Sequence, residues 1–220
     1  MMSLQLIDNN FIPVAPTDTI GRALELIQQQ SCNHLPVVEG NIFKGLLSKK
    51  TILEIGDNDT IISQFNDELL PARVNGSVHF LRSIPIANLY RTDVVPVVNE
   101  AGEYQGSITH MDLINALGNF CGAGEYGALI VLEIERPKLN FSELNAIMES
   151  EGATILHYNI SPIAATQIME VTIGLDKREI STILASLNQY NYKILFTSGE
   201  ELTESELSDN YNNLMNYLDI

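Results

Sequence analysis

The chain of 220 residues contains two similar stretches that lie about 60 residues apart. In each stretch a short apolar run is built around a proline, Pro36 in the first and Pro96 in the second, and a glycine follows at Gly45 or Gly106. A repeated unit of this size is one supersecondary structure that cannot bury its apolar face alone. The repeat therefore predicts that the first half of the chain folds as two similar units packed on each other.

Each unit predicts the same order of elements. Apolar residues at helical spacing, such as Ala23, Leu24 and Ile27, predict an amphipathic helix. The Pro-Val-Val run that follows is rich in β-branched residues and too short for a helix, so it predicts a buried strand. A turn, a second strand ending in a hydroxyl residue and a second helix complete a βαββα unit. Its first helix is expected to be capped by Thr19 or Asp18 in one unit and by Ser77 in the other.

These features resemble a tandem pair of CBS domains, or Bateman module. The resemblance is carried by the hydrophobic-Pro-Val-Val run, by the glycine-containing turn, and by the pattern Gly-hydrophobic-hydrophobic-Ser/Thr-x-x-Asp. Residues 106–112 follow this pattern except for Ser107, and the first unit follows it from Gly45 but ends in Thr51. It covers roughly residues 5–120. We expect one CBS repeat over residues 1–62 and the other over 63–120.

The pattern of residues 126–199 differs and predicts the order βαββαβ, a ferredoxin-like sheet with both helices on one face. Ser161-Pro162 predicts a turn between the middle strands, and Asp176 is expected to cap the second helix. This part resembles an ACT domain. The order CBS–CBS–ACT is similar to the acetoin-utilisation family of bacterial regulatory proteins, so the expected fold class is mixed, α/β or α+β.

Two segments flank the ACT-like domain. Three glycines within Gly118–Gly124 predict a hinge, with a linker over 121–125. Residues 200–220 carry six acidic and no basic side chains, and we expect an acidic helical tail that docks on the protein or binds a protein partner. The tail's apolar residues at helical spacing are Leu207, Tyr211, Leu214, Met215 and Leu218.

Charge and composition exclude several classes of function. The net charge is −16, and no segment has the basic stripe that binding to nucleic acid or an anionic membrane requires. The longest nearly apolar stretch, residues 127–132, is too short to span a bilayer, and the N-terminus lacks a secretory signal pattern. Cys32 and Cys121 are expected to be buried free thiols, so we expect a cytoplasmic protein.

The resemblance to the CBS family implies a ligand of the adenine-nucleotide type, such as AMP, ADP, ATP or S-adenosylmethionine. Thr109 and Asp112 match the family positions that contact the ribose, and His110 could donate to a phosphate. The adenine would be enclosed by Ile12, Val14, Val95 and Pro96. Alternatively, Thr109 or Asp112 caps the following helix, the four apolar residues belong to the core, and His110 has no role.

The matching positions of the first repeat predict a weaker second site, formed by Ser48, Thr51, Leu70 and Leu35. Thr51 stands where the family has the ribose-binding aspartate, and a hydroxyl cannot hold two ribose hydroxyls as a carboxylate can. Lys49 and Lys50 could reach a phosphate, or they form a solvated surface pair.

In the ACT-like domain, the loop that binds amino acids in the family is Glu135-Arg136-Pro137-Lys138 here. Lys138 replaces the glycine that allows a bound amino acid to approach the backbone, which argues against amino-acid binding.

No sequence motif of catalysis, metal binding or a resident cofactor is present, and the four histidines are scattered along the chain. We therefore expect a non-catalytic sensor of an adenine nucleotide and not an enzyme. The alternatives are a ligand-free scaffold that docks a partner enzyme, and amino-acid sensing through the ACT-like domain. CBS modules resemble one another in forming parallel or antiparallel dimers, so a homodimer is expected.

Overall fold

The computed structural model describes residues 1–124 and 127–199 and divides the chain into two compact units, residues 1–118 and residues from 119 onward. The predicted acidic tail, 200–220, lies outside the described residues, as do positions 125 and 126 of the predicted linker and ACT-like domain. In the described ranges, no helix combines the length and apolarity needed to cross a membrane. The domain boundaries given above stay predictions.

The first repeat forms a two-stranded antiparallel sheet with two helices. Ahead of these elements, Val14 makes a single parallel bridge to Val37, which is what remains of a leading strand. The elements are α1 (Ile20–Gln29), β1 (His34–Glu39), β2 (Ile42–Ser48) and α2 (Lys49–Ile55).

The second repeat has the same order, and its sheet runs β3-β4-β5, with β3 parallel to β4 and β4 antiparallel to β5. A short 3-10 turn, Phe80–Arg82, leads into its first helix. The elements are β3 (Val74–Asn75), α3 (Ser83–Tyr90), β4 (Val94–Val98), β5 (Tyr104–Thr109) and α4 (His110–Cys121). The predicted pair of βαββα units is therefore confirmed.

Two local predictions in this half are wrong. Thr19 caps α1 as expected, with its hydroxyl accepting from the backbone N–H of Arg22, but Ser77 caps no helix. Ser77 donates from its backbone and its hydroxyl to Asn75 Oδ1, which forms an Asx-type turn ahead of the 3-10 turn. Gly118 lies inside α4, which continues to Cys121, so no hinge begins at Gly118. The cost of one glycine in a helix is only about 1 kcal/mol relative to alanine, which the rest of α4 can offset.

The segment before each repeat packs on the other repeat. Asp8 bridges Ser107 of the second repeat, and Leu70 bridges Leu46 of the first. At both crossings the facing strand has a glycine next to a β-bulge. A side chain at this position would be too close to the crossing segment. An ideal Cβ on Gly45 would lie 2.6 Å from the Leu69 Cβ, and one on Gly106 would lie 3.0 Å from the Ile7 Cβ. The glycines of the sequence repeat thus make room for the exchanged segments, which join the two repeats into one body.

The core of this unit contains one cluster in each repeat and one cluster shared between them. The shared cluster consists of Phe43 and Leu46 from the first repeat with Ala72 and Val98 from the second. Because each repeat contributes to the same buried cluster, neither has a complete core alone.

The ACT-like unit is a four-stranded antiparallel sheet in the order β7-β8-β6-β9. Every second residue of β6 is buried, and these residues pack against both helices in one cluster, so both helices lie on the same face of the sheet. The predicted mixed fold and ferredoxin-like order are confirmed. The elements are β6 (Ala128–Glu135), α5 (Phe141–Ser150), β7 (Ile155–Pro162), β8 (Ile168–Leu175), α6 (Ser181–Gln189) and β9 (Lys193–Ser198).

Two predictions in this unit are wrong. Pro162 does not turn the chain but ends β7 opposite Met169, because β7 is an edge strand where a missing N–H costs no ladder bond. Asp176 does not cap α6, which begins at Ser181. Its Oδ1 instead accepts a 2.7 Å hydrogen bond from the backbone N–H of Thr154, and so ties the end of β8 to the start of β7.

The crossings predict that Gly45→Ala destabilises the first unit, because the added methyl group would overlap the Leu69 side chain. Overpacking of this kind costs about 1–3 kcal/mol. Urea denaturation followed by circular dichroism should show the loss. Gly118→Ala is the matched control, since nothing lies within 4 Å of its Cβ position and alanine is the better helix former. Equal destabilisation by both substitutions would contradict the role assigned to the crossing.

Candidate functional site

Thr109 and Asp112 meet at the junction of β5 and α4. One carboxylate oxygen, Asp112 Oδ2, accepts from the backbone N–H of Thr109 at 2.8 Å and from its hydroxyl at 2.6 Å. The Thr109 hydroxyl accepts in turn from the backbone N–H of Asp112 at 3.2 Å. The two residues therefore cap α4 reciprocally, which is the local role that the sequence left open.

The cap does not use the whole carboxylate. Among the described residues, no hydrogen bond reaches the second oxygen, Asp112 Oδ1. The side chain is only partly buried and carries its charge in the first turn of a twelve-residue helix. A hydroxyl group of a ligand could therefore donate to Oδ1 without breaking the cap.

The first repeat repeats this junction without a carboxylate. The hydroxyls of Ser48 and Thr51 lie 2.9 Å apart, and the Ser48 hydroxyl accepts from the backbone N–H of Thr51 at 3.0 Å. Lys50 is 84% exposed and lies 3.7 Å from Glu54, as a surface ion pair does. The junction of β2 and α2 thus offers hydroxyls where the other junction offers a charged acceptor.

Three of the four predicted apolar walls are buried. Val14 is buried in the cluster of the first repeat and Val95 in that of the second. Pro96 is buried too, on β4. Ile12 is exposed, but its backbone is bonded in both directions to the side-chain amide of Gln30, at the end of α1. The contacts of these four residues are with core or with α1, and their role around a ligand stays a prediction.

The two apolar residues of the weaker site lie in different surroundings. Leu35 is fully buried on β1 in the cluster of the first repeat. Leu70 is partly buried and exchanges backbone hydrogen bonds of 2.8 and 2.9 Å with Leu46. Leu70 therefore belongs to one of the crossings described above.

Sequence reasoning missed the residue that holds the two junctions together, Asp93. Its Oδ2 accepts from the backbone N–H of Asn33 at 2.7 Å and from the side-chain amide of Asn33 at 3.1 Å, and its Oδ1 lies 2.6 Å from His34 Nδ1. Burial raises the pKa of this carboxyl, but the hydrogen bonds from His34 and Asn33 outweigh it and hold the pKa below the ordinary value. The available signal was the repeat itself, since Asn33 and Asp93 stand at matching positions.

The backbone of the same residues positions the helices. The carbonyl oxygen of Asp93 accepts from the N–H of His110, the first residue of α4, at 2.9 Å. The carbonyl oxygen of Asn33 accepts from the N–H of Lys49, the first residue of α2, at 2.8 Å. His110, which was expected to reach a phosphate, is exposed at the start of α4.

Cys32 is not placed as a nucleophile. Cys32 is buried and free, and burial, with the nearby charge of Asp93, raises the pKa of its thiol to about 11. The thiol is therefore protonated at neutral pH. Cys121 is free and only partly buried, so the expectation of burial holds for Cys32 alone.

The ACT-like loop forms a 3-10 turn, Arg136–Lys138, beside a cavity of about 440 Å³. The lysines on this cavity are paired, Lys138 with Glu135 and Lys193 with Glu133, each at 2.8 Å. With Glu143 also on the wall, the charged lining is acidic overall. Burial and a hydrogen bond to Glu143 raise the pKa of Tyr192 well above its ordinary value, so this phenol stays neutral.

No three His, Cys, Asp or Glu side chains within residues 1–124 and 127–199 are grouped to hold a metal ion.

Comparison with known proteins identifies one domain directly. The family model of the CBS domain matches residues 4–57, which confirms the resemblance over the first repeat. The second repeat has the same order of elements in the structure.

Several solved structures are similar to this chain. A CBS domain pair/ACT domain protein from Thermotoga maritima is 19% identical, with 55% of this chain and 98% of that chain covered and a TM-score of 0.49. CBSX2 in complex with AMP is 19% identical, with 54% and 97% covered and a TM-score of 0.47. A Vibrio cholerae protein named for acetoin utilization (AcuB) is 18% identical, with 57% and 96% covered and a TM-score of 0.48. At these identities and TM-scores the likeness carries no function over to this chain.

The contacts of Asp93 predict a pH dependence. Because its pKa is lowered in the folded state, the stabilisation is fully present above the unfolded value of about 3.9 and is lost as the pH falls through the folded value. Asp93→Asn should lower stability by about 1.5–3 kcal/mol near neutral pH, the range for hydrogen bonds to a charged group.

The measurement is thermal unfolding as a function of pH. Below about pH 4, where an unperturbed aspartate takes up a proton, the stability of the natural protein should fall more steeply than that of Asp93→Asn. Asp67→Asn removes an exposed carboxylate from the same unit and serves as control. Parallel pH profiles for the natural protein and Asp93→Asn would contradict the assignment.

Proposed function

We propose that this chain is a non-catalytic sensor that binds one adenine-nucleotide-type ligand at the junction of β5 and α4, with Thr109 and Asp112 as the polar contacts. The ligand class comes from the resemblance to the CBS family, whose model matches the first repeat. The position comes from the second repeat, because only this junction of the two has a carboxylate. The single observation that carries the proposal is the Asp112 carboxylate, with one oxygen in the cap and the other not hydrogen-bonded by any described residue.

The chemistry of a ribose suits this arrangement. Its two adjacent hydroxyls are donors, and a charged carboxylate forms stronger hydrogen bonds with them than a neutral acceptor does. A phosphate would be attracted to the N-terminus of α4, where the helix dipole favours negative charge. His110 is the first residue of α4 and is exposed, so it lies at the helix end to which a phosphate would be attracted.

The two junctions are expected to differ in affinity. Ser48 and Thr51 satisfy each other at 2.9 Å, so a ribose at the first junction would find only neutral hydroxyls that already have partners. We therefore expect one ligand per chain, bound by the second repeat.

Substituting Asp112 tests the proposal. A ligand at about 100 times its dissociation constant stabilises the folded state by about 2.7 kcal/mol. At this chain length that corresponds to roughly 2–4 °C of melting temperature for each kcal/mol. In a thermal-shift assay with AMP, ADP, ATP and S-adenosylmethionine, the natural protein should respond to one or more of them. Asp112→Asn, which keeps an acceptor for the cap, should lose most of the response.

Thr51→Ala is the matched control, because it removes the side chain at the corresponding position of the first repeat. It should keep the full response, and calorimetric titration should give one ligand per chain in both the natural protein and the control. An unchanged response in Asp112→Asn would sink the site assignment. No response to any of the four compounds in the natural protein would favour the scaffold, and a response to amino acids alone would favour the ACT-like domain.

A further inference from the structure

The backbone of Ile12, in the segment ahead of the first repeat, is held by one side chain. The amide of Gln30 accepts from the Ile12 N–H through Oε1 at 2.6 Å, and its Nε2 donates to the Ile12 carbonyl oxygen at 3.1 Å. Gln30 directly follows α1 and is partly exposed, and Ile12 is 42% exposed. This contact can therefore open without unfolding the repeat.

Gln30 binds where a short parallel ladder stops. The Val14 N–H donates to the carbonyl oxygen of Pro36 at 2.9 Å, and the Val38 N–H donates to the carbonyl oxygen of Val14 at 2.8 Å. In this register, the next group of β1 that faces the Ile12 carbonyl oxygen is the nitrogen of Pro36. Because proline has no N–H, β1 cannot extend the ladder to this oxygen. The Ile12 carbonyl group is therefore left for a donor from outside the sheet.

An adenine base carries the same pair of groups as the Gln30 amide. It presents a ring nitrogen as acceptor and an amino group as donor, which is why side-chain amides and adenine pair through two hydrogen bonds. The backbone N–H and carbonyl groups that bind the amide can therefore bind an adenine edge in its place. Both cannot bind at once, because Ile12 has a single N–H.

Two contacts connect the segment around Ile12 with the junction of β5 and α4. Earlier in the segment, the Asp8 N–H donates at 2.8 Å to the carbonyl oxygen of Ser107, on the strand that ends at the junction. Later in the segment, the chain pairs with β1, whose first residue is His34. His34 lies 2.6 Å from Asp93, and the Asp93 carbonyl group holds the first N–H of α4. Ile12 lies between these contacts, at a position that the CBS resemblance assigns to the adenine.

The matching positions of the second repeat differ. Tyr90 stands where the first repeat has Gln30, and it packs against the cluster shared by the two repeats. Ala72 stands where the first repeat has Ile12, and it is buried in that cluster. Of the two leading segments, the one with the amide contact is therefore the one that crosses to β5 and its carboxylate junction.

We propose that Gln30 occupies the place of the adenine base and that an adenine nucleotide displaces it on binding. The side chain is then a built-in competitor, which lowers the apparent affinity in proportion to the fraction of molecules whose site is open. This proposal rests on the function proposed above, since it requires an adenine ligand at the junction. If Gln30 only positioned the segment for the ligand, its removal would weaken binding, so the two roles predict opposite changes.

Calorimetric titration of the full chain with AMP, ADP, ATP and S-adenosylmethionine tests the competition. Gln30→Ala should bind the same compound as the natural protein, with a dissociation constant lower by roughly three- to tenfold, as expected when no amide has to be displaced. Gln29→Ala removes the neighbouring exposed amide of α1 and should leave the dissociation constant unchanged. Circular dichroism checks that both variants keep the native fold.

A second measurement follows the Gln30 amide itself. In NMR spectra of the isotope-labelled natural protein, the side-chain amide signal that Gln30→Ala removes should shift when the compound is added. Equal or weaker binding by Gln30→Ala, or a Gln30 signal that does not move on binding, would overturn this proposal and leave the function proposed above intact. Binding by Gln30→Ala alone would support both proposals, and no binding by either protein would overturn both.

Discussion

The carboxylate of Asp93 is the contact on which the arrangement of the first unit depends. It binds Asn33 and His34 of the other repeat through three short hydrogen bonds, and the carbonyl groups of Asn33 and Asp93 hold the first N–H groups of α2 and α4. Both strand-to-helix junctions are therefore fixed by one partly buried group. A change in the hydrogen bonds of Asp93 would affect both junctions, because the first N–H of each helix is hydrogen-bonded to the backbone carbonyl of Asn33 or Asp93.

The two repeats share a fold but not a surface. In the first, the junction holds two hydroxyls that satisfy each other and the helices carry ion pairs. In the second, the junction holds a carboxylate with a spare oxygen, and the helices are almost uncharged. The charged acceptor and the nearly uncharged helices are therefore both in the second repeat.

The sequence predicts most of the fold because its strongest signals are periodic. Helical spacing, alternating burial and the 60-residue repeat are local patterns that tertiary contacts reinforce. The helices and strands that they predicted among the described residues are present, except that the leading strand of the first repeat is reduced to one bridge at Val14. The local predictions that were wrong each depended on one residue, whose role is set by tertiary contacts that the sequence does not show. Pro162 suits an edge strand, and Asp176 has a backbone partner 22 residues away that removes it from the helix start.

The candidate site could be predicted only in part, because some of its contacts join residues that are close in the sequence and others join residues that are far apart. Thr109 and Asp112 are three residues apart, so their meeting follows from local geometry. Val14 and Val95 depend on how the leading segments cross, and the structure assigns them to separate core clusters. Asp93 looked like an ordinary loop acid, since its partners lie about 60 residues away.

The exchanged segments also constrain the order in which the chain can fold. Residues 3–8 are synthesised before the helices and strands of both repeats, yet their backbone partners, Gly76, Val78 and Ser107, follow about 70 to 100 residues later. The edge of β2 in the first repeat likewise has no partner until Leu70, which bridges Leu46, has been synthesised. Closure of such long loops is slow because their entropy is lost before the contacts form. A chain that has completed only the first repeat therefore exposes β2 and the unpaired segment of residues 3–8, and the unit can close only after β5 has been made.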